Sequence, residues 1–303
     1  FSKTANKKDL YGHRFYNYNK YFNLFKKGDQ KKYVEWSKKE LDKRLSGKPG
    51  IGIVYQKKTA YNKKLHSKRA LSVSKNHKVL IATHCFYDNP HGYTGMMFND
   101  FYDWLSYLVK ISNQTNYDWY IKPHPDLLPG TLEHLQEIVL DKSCIKLVSA
   151  DVSFHQLKSE GLDTALTCFG SIGHELPLLG INVVNAAYNP HISFDFNYHP
   201  KSIKEYEKLL FKLPELKKKN ANDDIYKFYY MNFKHTNVDD LIYKSYKKMT
   251  NDLSVKEQFN INAYNYFVTE TNPQKSKEIK IKINDFIDSG KTHFFSDGPE
   301  NFD

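Results

Sequence analysis

The sequence predicts an α/β fold with a doubly wound parallel sheet, that is, a sheet that carries helices on both faces. Two observations support this fold class. Between residues 78 and 185, short apolar runs alternate with helix-like segments, and short connections join them. The runs are almost continuously apolar, which is typical of parallel strands that are buried on both faces.

The first half of the predicted sheet contains three strands and two helices. The strands are the apolar runs Lys78–Thr83, Tyr117–Ile121 and Ile145–Val148. A helix is predicted at Phe98–Ile111, because apolar residues recur there at spacings of three and four. A second helix is predicted at Leu132–Leu140.

The second half continues the same alternation. A short helix is predicted at Phe154–Ser159 and a strand at Thr164–Cys168. The segment Gly170–Leu179 turns into a helix, and the apolar run Asn182–Asn185 is the last predicted strand.

The flanks of the predicted sheet are polar and rich in Lys and Tyr. Before the sheet, a helix is predicted at Lys31–Leu45, and the Gly- and Pro-containing run at 46–50 ends it. After about Lys201 the chain is again helical, and we expect a loosely ordered tail from Asn284 to Asp303.

These patterns predict three regions. Residues 1–75 form a helical connector or the remnant of an N-terminal domain, residues 76–215 form the sheet domain, and residues 216–303 form a helical extension and tail. Because the chain starts at Phe1 and not at a Met, we expect a piece of a longer protein.

The composition is that of a folded protein with excess basic charge. Of the 303 residues 40% are hydrophobic, and the formal net charge is +11. Such an excess is compatible with a nucleic acid, an anionic membrane surface or an acidic substrate. We interpret it mainly as solvated lysine-rich surface, with peripheral contact to an anionic membrane as the functional alternative. Nucleic-acid binding is not expected, because the basic residues do not gather with aromatic residues in a recognisable module.

The three cysteines, Cys85, Cys144 and Cys168, lack the spacing of a zinc or redox motif. They cannot all pair within the chain, which favours a reducing compartment. No apolar run is long enough to cross a membrane. We therefore expect a cytoplasmic protein whose contact with the inner face of the cell membrane, if any, is peripheral.

The first candidate site is the run Lys122-Pro123-His124-Pro125, which follows the second predicted strand. Ligands of open parallel sheets bind beyond the carboxyl ends of the strands. The side chains of Lys122 and His124 can donate to a phosphate, and the flanking prolines, including Pro125, stiffen the backbone around the imidazole. We predict a phosphate-binding role, with a surface turn that binds nothing as the alternative.

The second candidate site is the run Gly170-Ser171-Ile172-Gly173-His174-Glu175, which follows the fourth predicted strand. Gly170 and Gly173 permit a tight turn into a helix, and the free amides and the Ser171 hydroxyl are donors for a phosphate. Glu175 is predicted to accept the two ribose hydroxyls of a nucleotide. The alternative is an ordinary helix start, in which Glu175 complements the helix dipole.

Two further loops contain polar candidates. In the loop from His84 to Tyr93, Asp88 and His91 are candidate general bases for an acceptor hydroxyl. The spacing in this loop fits no standard zinc signature, so no metal is predicted. In the loop after the last strand, Asn189, His191 and Asn197 are predicted to contact a sugar or a base, with a packed surface loop as the alternative.

Several common catalytic motifs are absent from the sequence. It contains no phosphate-binding P-loop, no complete dinucleotide fingerprint, no nucleophile elbow and no Asp-x-Asp metal pair. In a group transfer, Lys122, His124 and the turn at Gly170 would stabilise the leaving phosphate without a metal or another cofactor.

Three of these runs together resemble the capsule polysaccharide synthesis family of GT-B glycosyltransferases, which includes Kdo transferases. The runs are Lys78–His84, Lys122–Pro125 and Ser171–Glu175, with Leu179–Val184 behind the third. The His-Pro and Ser elements are also similar to those with which bacterial sialyltransferases hold a CMP-sugar. The similarity covers about residues 75–215.

The resemblance implies a Rossmann-like domain that is the C-terminal, donor-binding half of a GT-B fold. It assigns the phosphate to His124 and Ser171, and the ribose or base to Glu175. Members of the family carry an entire acceptor-binding domain at the front, where this chain has only about 75 residues. In the family the catalytic base often lies in that domain.

The implied activity is transfer of a sugar from a nucleotide-activated donor, with a CMP-sugar favoured, to a capsule or lipopolysaccharide glycan. We expect inversion and no metal, with a nucleotide-sugar and a glycan or glycolipid acceptor as partners. Two alternatives stay open. One is transfer of a CDP-activated alcohol phosphate to a surface glycan, and the other is a noncatalytic scaffold that binds nucleotide during glycan assembly.

Overall fold

The computed structural model describes residues 14–48, 59–62, 66–84, 95–124, 130–235, 249, 252–253, 257, 260–270 and 272–289. Their centre is a sheet of five parallel strands. The strands are β1 (Lys78–Ala82), β2 (Asp118–Lys122), β3 (Lys146–Leu147), β4 (Thr164–Thr167) and β5 (Asn182–Asn185). Their spatial order is β3-β2-β1-β4-β5, so the chain builds one half of the sheet outward from β1 and then crosses back to build the other.

Helices cover both faces of this sheet and make up most of the described chain before and after it. Those whose bounds the structure gives are α1 (Tyr18–Leu24), α2 (Lys27–Leu45), α3 (Phe101–Ser112), α4 (Thr131–Ile138), α5 (Phe154–Ser159), α6 (Ile172–Glu175), α7 (Ile203–Leu210), α8 (Asn222–Tyr230), α9 (Ile261–Glu270) and α10 (Pro273–Asp288). Short 3-10 helices lie at Arg14–Asn17, Leu140–Lys142, Pro177–Leu179 and Leu213–Glu215, and a π-helix at Met231–His235 continues α8. None of the described helices is long and apolar enough to cross a membrane.

The two faces of the sheet belong to two separate hydrophobic cores. Val79 and Trp119 lie in a core with residues of α3, α4 and α7. Leu80, Tyr120 and Ala165 point the opposite way and lie in a core with α5. Alternate strand residues therefore pack under helices on both sides, which is the pattern expected from continuously apolar strands. The predicted doubly wound, Rossmann-like parallel sheet is confirmed, and the strands have almost the predicted bounds.

The helix predicted at Gly170–Leu179 is shorter than expected. Helix α6 ends at Glu175, and a separate 3-10 helix at Pro177–Leu179 follows it. Pro177 has no backbone N–H, and its ring conflicts with the carbonyl one turn earlier, so a single long helix cannot pass through it. Gly180 then ends the segment with a positive φ of 71°.

The tail predicted from Asn284 begins too early, because helix α10 continues to Asp288. Asn272 caps the start of this helix by accepting a hydrogen bond from the backbone N–H of Lys275, and Pro273 occupies its first turn. Near its end the side chain of Phe286 is buried. The N-cap at Asn272 and the buried side chain of Phe286 stabilise the helix beyond the point where the apolar pattern ends.

The flanking helical segments pack against each other in a third core. Phe22 of α1 and Leu41 of α2 share this core with Phe228 of α8. The rings of Tyr33 and Tyr230 stack, with centroids 3.9 Å apart. Residues before and after the sheet domain thus form one packed layer, while the domain boundaries at residues 75 and 215 stay a prediction.

Candidate functional site

Three neighbouring strands end at the same place on the carboxyl edge of the sheet. Because β1 lies between β2 and β4, the residues that follow them are brought together. These residues are His84 after β1, His124 after β2, and the turn Gly170–Ile172 after β4. We call this place the strand-exit corner.

His84 joins the exits of β1 and β4. Its Nε2 accepts a hydrogen bond of 3.0 Å from the backbone N–H of Phe169, and its ring stacks on Phe101 at 4.9 Å. Burial, together with the neighbouring His124, lowers the pKa of His84 to about 4. The imidazole is therefore neutral at neutral pH and carries its proton on Nδ1. His84 was not among the predicted site residues, although its position directly after a buried strand was a usable signal.

His124 and Lys122 leave β2 in different environments. His124 is half-buried and close enough to His84 to influence its pKa. Lys122 is buried, and its ammonium donates to the carbonyl oxygens of Ser149, at 3.3 Å, and of Ala150. Burial lowers the pKa of Lys122 to about 8. The predicted phosphate contact of Lys122 stays a prediction, and it would require the ammonium to leave these carbonyls. Pro125 lies outside the described residues.

The turn after β4 offers hydrogen-bond donors. The backbone N–H groups of Ser171 and Ile172 make no hydrogen bond within the described part of the chain, and the Ser171 hydroxyl makes none there either. Both residues are half-exposed. Gly170 has no positive φ. Instead, an added Cβ would lie 2.8 Å from Thr167 Oγ1, so this glycine permits a close approach between the turn and the end of β4.

At Gly173 the loop after β5 packs so closely against α6 that a side chain would not fit. A Cβ on Gly173 would lie 2.6 Å from His191 Nδ1 and 3.2 Å from Asn197 Nδ2. His191 Nε2 lies 3.1 Å from His174 Nδ1, and both rings are buried. Burial lowers the pKa of His174 to about 4 and that of His191 well below its ordinary value. A neutral histidine pair therefore locks this loop against α6.

The loop after β5 contains several buried polar atoms that have no hydrogen-bond partner among the described residues. They are His191 Nδ1, Ser193 Oγ, Asn197 Nδ2, Asn197 Oδ1 and His199 Nε2. Polar atoms are costly to bury without a hydrogen-bond partner. Ser193, Asn197 and His199 also line a cleft of about 710 Å³.

Asn189 holds the base of this loop. It is fully buried, its Nδ2 donates to the Cys168 carbonyl at 2.8 Å and to Asn185 Oδ1 at 2.7 Å, and its Oδ1 accepts from the His191 N–H at 3.1 Å. All of its amide contacts are therefore within the protein, between the ends of β4 and β5. Its predicted contact with a sugar or base stays a prediction.

Glu175 is buried in a cluster with residues from the N-terminal flank. Arg44 Nε of α2 donates to Glu175 Oε1 at 3.0 Å, and the Tyr61 hydroxyl donates to Glu175 Oε2 at 2.7 Å. The side chains of Arg44 and Glu175 are 5% and 3% exposed. Both carboxylate oxygens thus have protein partners. The predicted ribose contact stays a prediction, and the sequence pattern contained no sign of Arg44 or Tyr61.

The candidate general bases Asp88 and His91 lie outside the described residues. Among the residues that the structure does describe, no group of three or more His, Cys, Asp or Glu side chains is arranged to hold a metal ion.

No protein-family model matches the sequence, and no curated protein matches it significantly. Among solved structures, the chain is similar to two transferases from Thermosulfurimonas dismutans. The KpsC beta Kdo 2,7 transferase matches with a TM-score of 0.42 and 10% identity, over 72% of this chain and 60% of that one. The KpsC beta Kdo 2,4 transferase matches with a TM-score of 0.40 and 14% identity, over 71% and 62% of the two chains.

A UDP-GlcNAc 2-epimerase from Neisseria meningitidis, bound to UDP-GlcNAc, matches with a TM-score of 0.34 and 17% identity, over 50% of this chain and 39% of that one. The chain thus spans less than two thirds of each of these structures.

Proposed function

We propose that the chain forms the donor-binding half of a GT-B glycosyltransferase, which transfers a sugar from a nucleotide-activated donor to a bacterial capsule or lipopolysaccharide glycan. The observation that carries the proposal is the strand-exit corner. It brings together His84, His124 and Ser171 at the edge where open parallel sheets bind their ligands.

The corner matches the needs of a phosphate. The amides of Ser171 and Ile172 and the Ser171 hydroxyl are available as donors, and the imidazole of His124 can donate as well. Neutral His84 accepts from the Phe169 amide and so orients the same turn. Donors fixed by the fold stabilise the charge that develops on a leaving phosphate, because they need no reorganisation during the reaction.

The reaction at this corner is a direct displacement. An acceptor hydroxyl attacks the anomeric carbon of the donor sugar, a base takes the hydroxyl proton, and the bond from that carbon to the phosphate oxygen breaks. The nucleotide leaves with the electron pair, and the configuration inverts. Asp88 and His91 are the candidate bases. On the resemblance of the His-Pro and Ser runs, a CMP-sugar is the favoured donor.

The loop after β5 is where we place the sugar or the base of the donor. Its buried atoms without partners include both amide atoms of Asn197, and these offer one acceptor and one donor group. The adjacent cleft has the size of an ordinary small-molecule site. Asn189 ties the loop to the end of β4, which leads directly into the strand-exit corner.

Thermal unfolding with CMP, CDP, UDP and GDP tests the proposal. A ligand that binds only the folded state raises the melting temperature, by an amount that corresponds to about 2.7 kcal/mol at a concentration of one hundred times Kd. We expect one nucleotide to stabilise the chain, and we expect His124→Ala and Ser171→Ala to reduce that stabilisation. His77→Ala is the matched control, because His77 precedes β1 at the opposite edge of the sheet. If no nucleotide stabilises the folded chain, the donor site is not at this corner.

A further inference from the structure

The carboxylate of Glu175 connects the phosphate-facing turn to the N-terminal flank. Glu175 ends helix α6, and its backbone N–H donates to the Ser171 carbonyl at 3.3 Å. Ser171, which supplies candidate donors for a phosphate, and Glu175 therefore belong to one hydrogen-bonded turn. Arg44 and Tyr61 bind the Glu175 end of this turn.

Arg44 and Tyr61 are themselves anchored to the sheet domain. The carbonyl oxygen of Leu45, next to Arg44, lies 2.7 Å from Nε2 of His155. Beside Tyr61, the Ala60 carbonyl accepts a hydrogen bond of 2.9 Å from the N–H of Phe154. The Arg44 guanidinium lies 5.6 Å from the centre of the Tyr61 ring, which is fully buried. The backbone next to each partner of Glu175 is thus hydrogen-bonded to α5.

The electrostatics keep the three side chains together. Burial by itself would lower the pKa of Arg44, but the charge of Glu175 and the hydrogen bond to it raise the pKa above its ordinary value. Burial and the neighbouring carboxylate raise the pKa of Tyr61, so its hydroxyl keeps the proton that it donates. A buried carboxylate that lost either donor would be left with an unsatisfied oxygen.

We propose that Arg44 and Tyr61 are positioning residues of the donor site, which act through Glu175 to hold the turn at Gly170–Glu175 so that Ser171 and Ile172 face the phosphate. The phosphate site rests on the proposed function, whereas the effect of Arg44 and Tyr61 on the turn does not. The flank before the sheet is then part of the donor site and not only a connector.

This role differs from a direct contact between Glu175 and the ribose. A positioning role acts on every ligand that contains a phosphate group, because it acts on the turn. A ribose contact acts only on ligands that contain a ribose. Inorganic pyrophosphate has no ribose, so its affinity separates the two roles.

Two measurements on the full chain test the proposal. One is the affinity for pyrophosphate and for CMP, by calorimetry. The other is hydrogen exchange of the backbone amides of residues 173–176, which bond within the turn, with the amides of β1 as the internal reference. The variants are Arg44→Met, Tyr61→Phe and Glu175→Gln. The matched control is Lys43→Met, which removes a neighbouring cation whose only described ion pair is an exposed one to Glu40.

We expect Arg44→Met and Glu175→Gln to weaken pyrophosphate binding about tenfold, the effect of losing a hydrogen bond to a charged group. The amides of the turn should exchange about tenfold faster than in the wild type, on the same reasoning. The amides of β1 report global stability, so their exchange should accelerate only as far as the loss of stability measured by urea unfolding requires. Lys43→Met should leave the exchange at both places and both affinities unchanged. Tyr61→Phe should give a smaller change at the turn, in the same direction as Arg44→Met. If Arg44→Met does not fold, Arg44→Lys keeps the positive charge and takes its place.

Unchanged exchange at the turn in a folded Arg44 variant would overturn the proposal. So would a Glu175→Gln protein that loses affinity for CMP but not for pyrophosphate, because that result assigns a direct ribose contact. If the wild type binds neither ligand, the proposed function fails at this corner, and the exchange of the turn alone decides the positioning role.

Discussion

The two ends of the short turn at helix α6 differ in what surrounds them. At its start, Ser171 and Ile172 are half-exposed, and their amides bond to nothing in the described part of the chain. At its end, Glu175 is buried and each of its carboxylate oxygens has a donor. The start of the turn therefore has backbone N–H groups that can donate to a ligand. The end of the turn is attached to the N-terminal flank through Arg44 and Tyr61.

Two residues of one short motif, Ser171 and Glu175, thus lie in different environments. The sequence pattern treats Ser171 and Glu175 as two ligands of one nucleotide. In the structure, Ser171 is half-exposed and can donate to a ligand. Glu175 is buried, and its carboxylate attaches the turn to Arg44 and Tyr61. Substitutions near the buried end should therefore reduce stability, whereas substitutions at the open end should reduce ligand binding. Four predictions are given in order of their expected effect on stability, from the largest to the smallest.

The largest effect is expected at the buried end. Arg44→Met should lower the free energy of unfolding by about 3 to 5 kcal/mol, because it leaves the buried charge of Glu175 without its counterion. Urea unfolding measures this loss. Lys43→Met should change stability by less than about 0.5 kcal/mol, because Lys43 is exposed. Equal effects of the two substitutions would show that the buried pair does not hold the turn.

A smaller loss is expected where the loop after β5 meets the turn. Gly173→Ala should cost about 1 to 3 kcal/mol, because the added Cβ would overlap the ring of His191. Gly28→Ala in α2 is the matched control, since nothing lies within 4 Å of its added Cβ. That control should be neutral or stabilising by about 0.5 to 1 kcal/mol. A well-tolerated Gly173→Ala would mean that the loop packs less closely than described.

The neutral histidine of the strand-exit corner predicts a pH dependence. The pKa of His84 is lowered to about 4 in the folded state, against about 6.5 in an unfolded chain. Between these values the unfolded state binds more protons, so the contribution of His84 to stability is present above pH 6.5 and is lost as the pH falls towards 4.

The measurement is urea unfolding at pH 7 and pH 5, with His84→Gln compared with the wild type. The wild type should lose about 1 to 2 kcal/mol more than the variant between these pH values. The buried His174 and His199, whose pKa values are also lowered to about 4, titrate in both proteins and cancel in the difference. Equal losses would show that folding does not lower the pKa of His84.

The smallest effect on stability is expected at the open end of the turn. Ser171→Ala should change the free energy of unfolding by less than about 0.5 kcal/mol, because the hydroxyl has no described partner. The same substitution should reduce stabilisation by a bound nucleotide. Thermal unfolding with and without nucleotide measures both properties. A large loss of stability without ligand would place Ser171 among the structural residues.

The fold was predictable because its signals are local. Each strand is a continuous apolar run, and strands that alternate with helices through short connections form a parallel sheet. The placement of His124 and Ser171 at the same edge of the sheet followed from that topology without any knowledge of contacts. His84 had the same kind of signal, since it comes after the same kind of strand.

The partners of Glu175 and the direction of Lys122 were not predictable. Arg44 and Tyr61 lie 131 and 114 residues from Glu175 in sequence, and neither belongs to a motif. Lys122 was expected to face a phosphate, but its ammonium is held by backbone carbonyls, which carry no sequence signal. Long-range pairs and bonds to the backbone depend on the assembled fold, so a single sequence does not reveal them.

The proposed function requires that a nucleotide phosphate bind at the strand-exit corner. NMR spectra of the histidine side-chain nitrogens during a titration with CMP, CDP, UDP or GDP test this binding directly. We expect one nucleotide to shift the imidazole signals of His84 and His124 with a common saturation curve and to leave His77, at the opposite edge, unchanged. Binding that shifts neither His84 nor His124, or no binding of any of the four nucleotides, would show that the phosphate does not bind there.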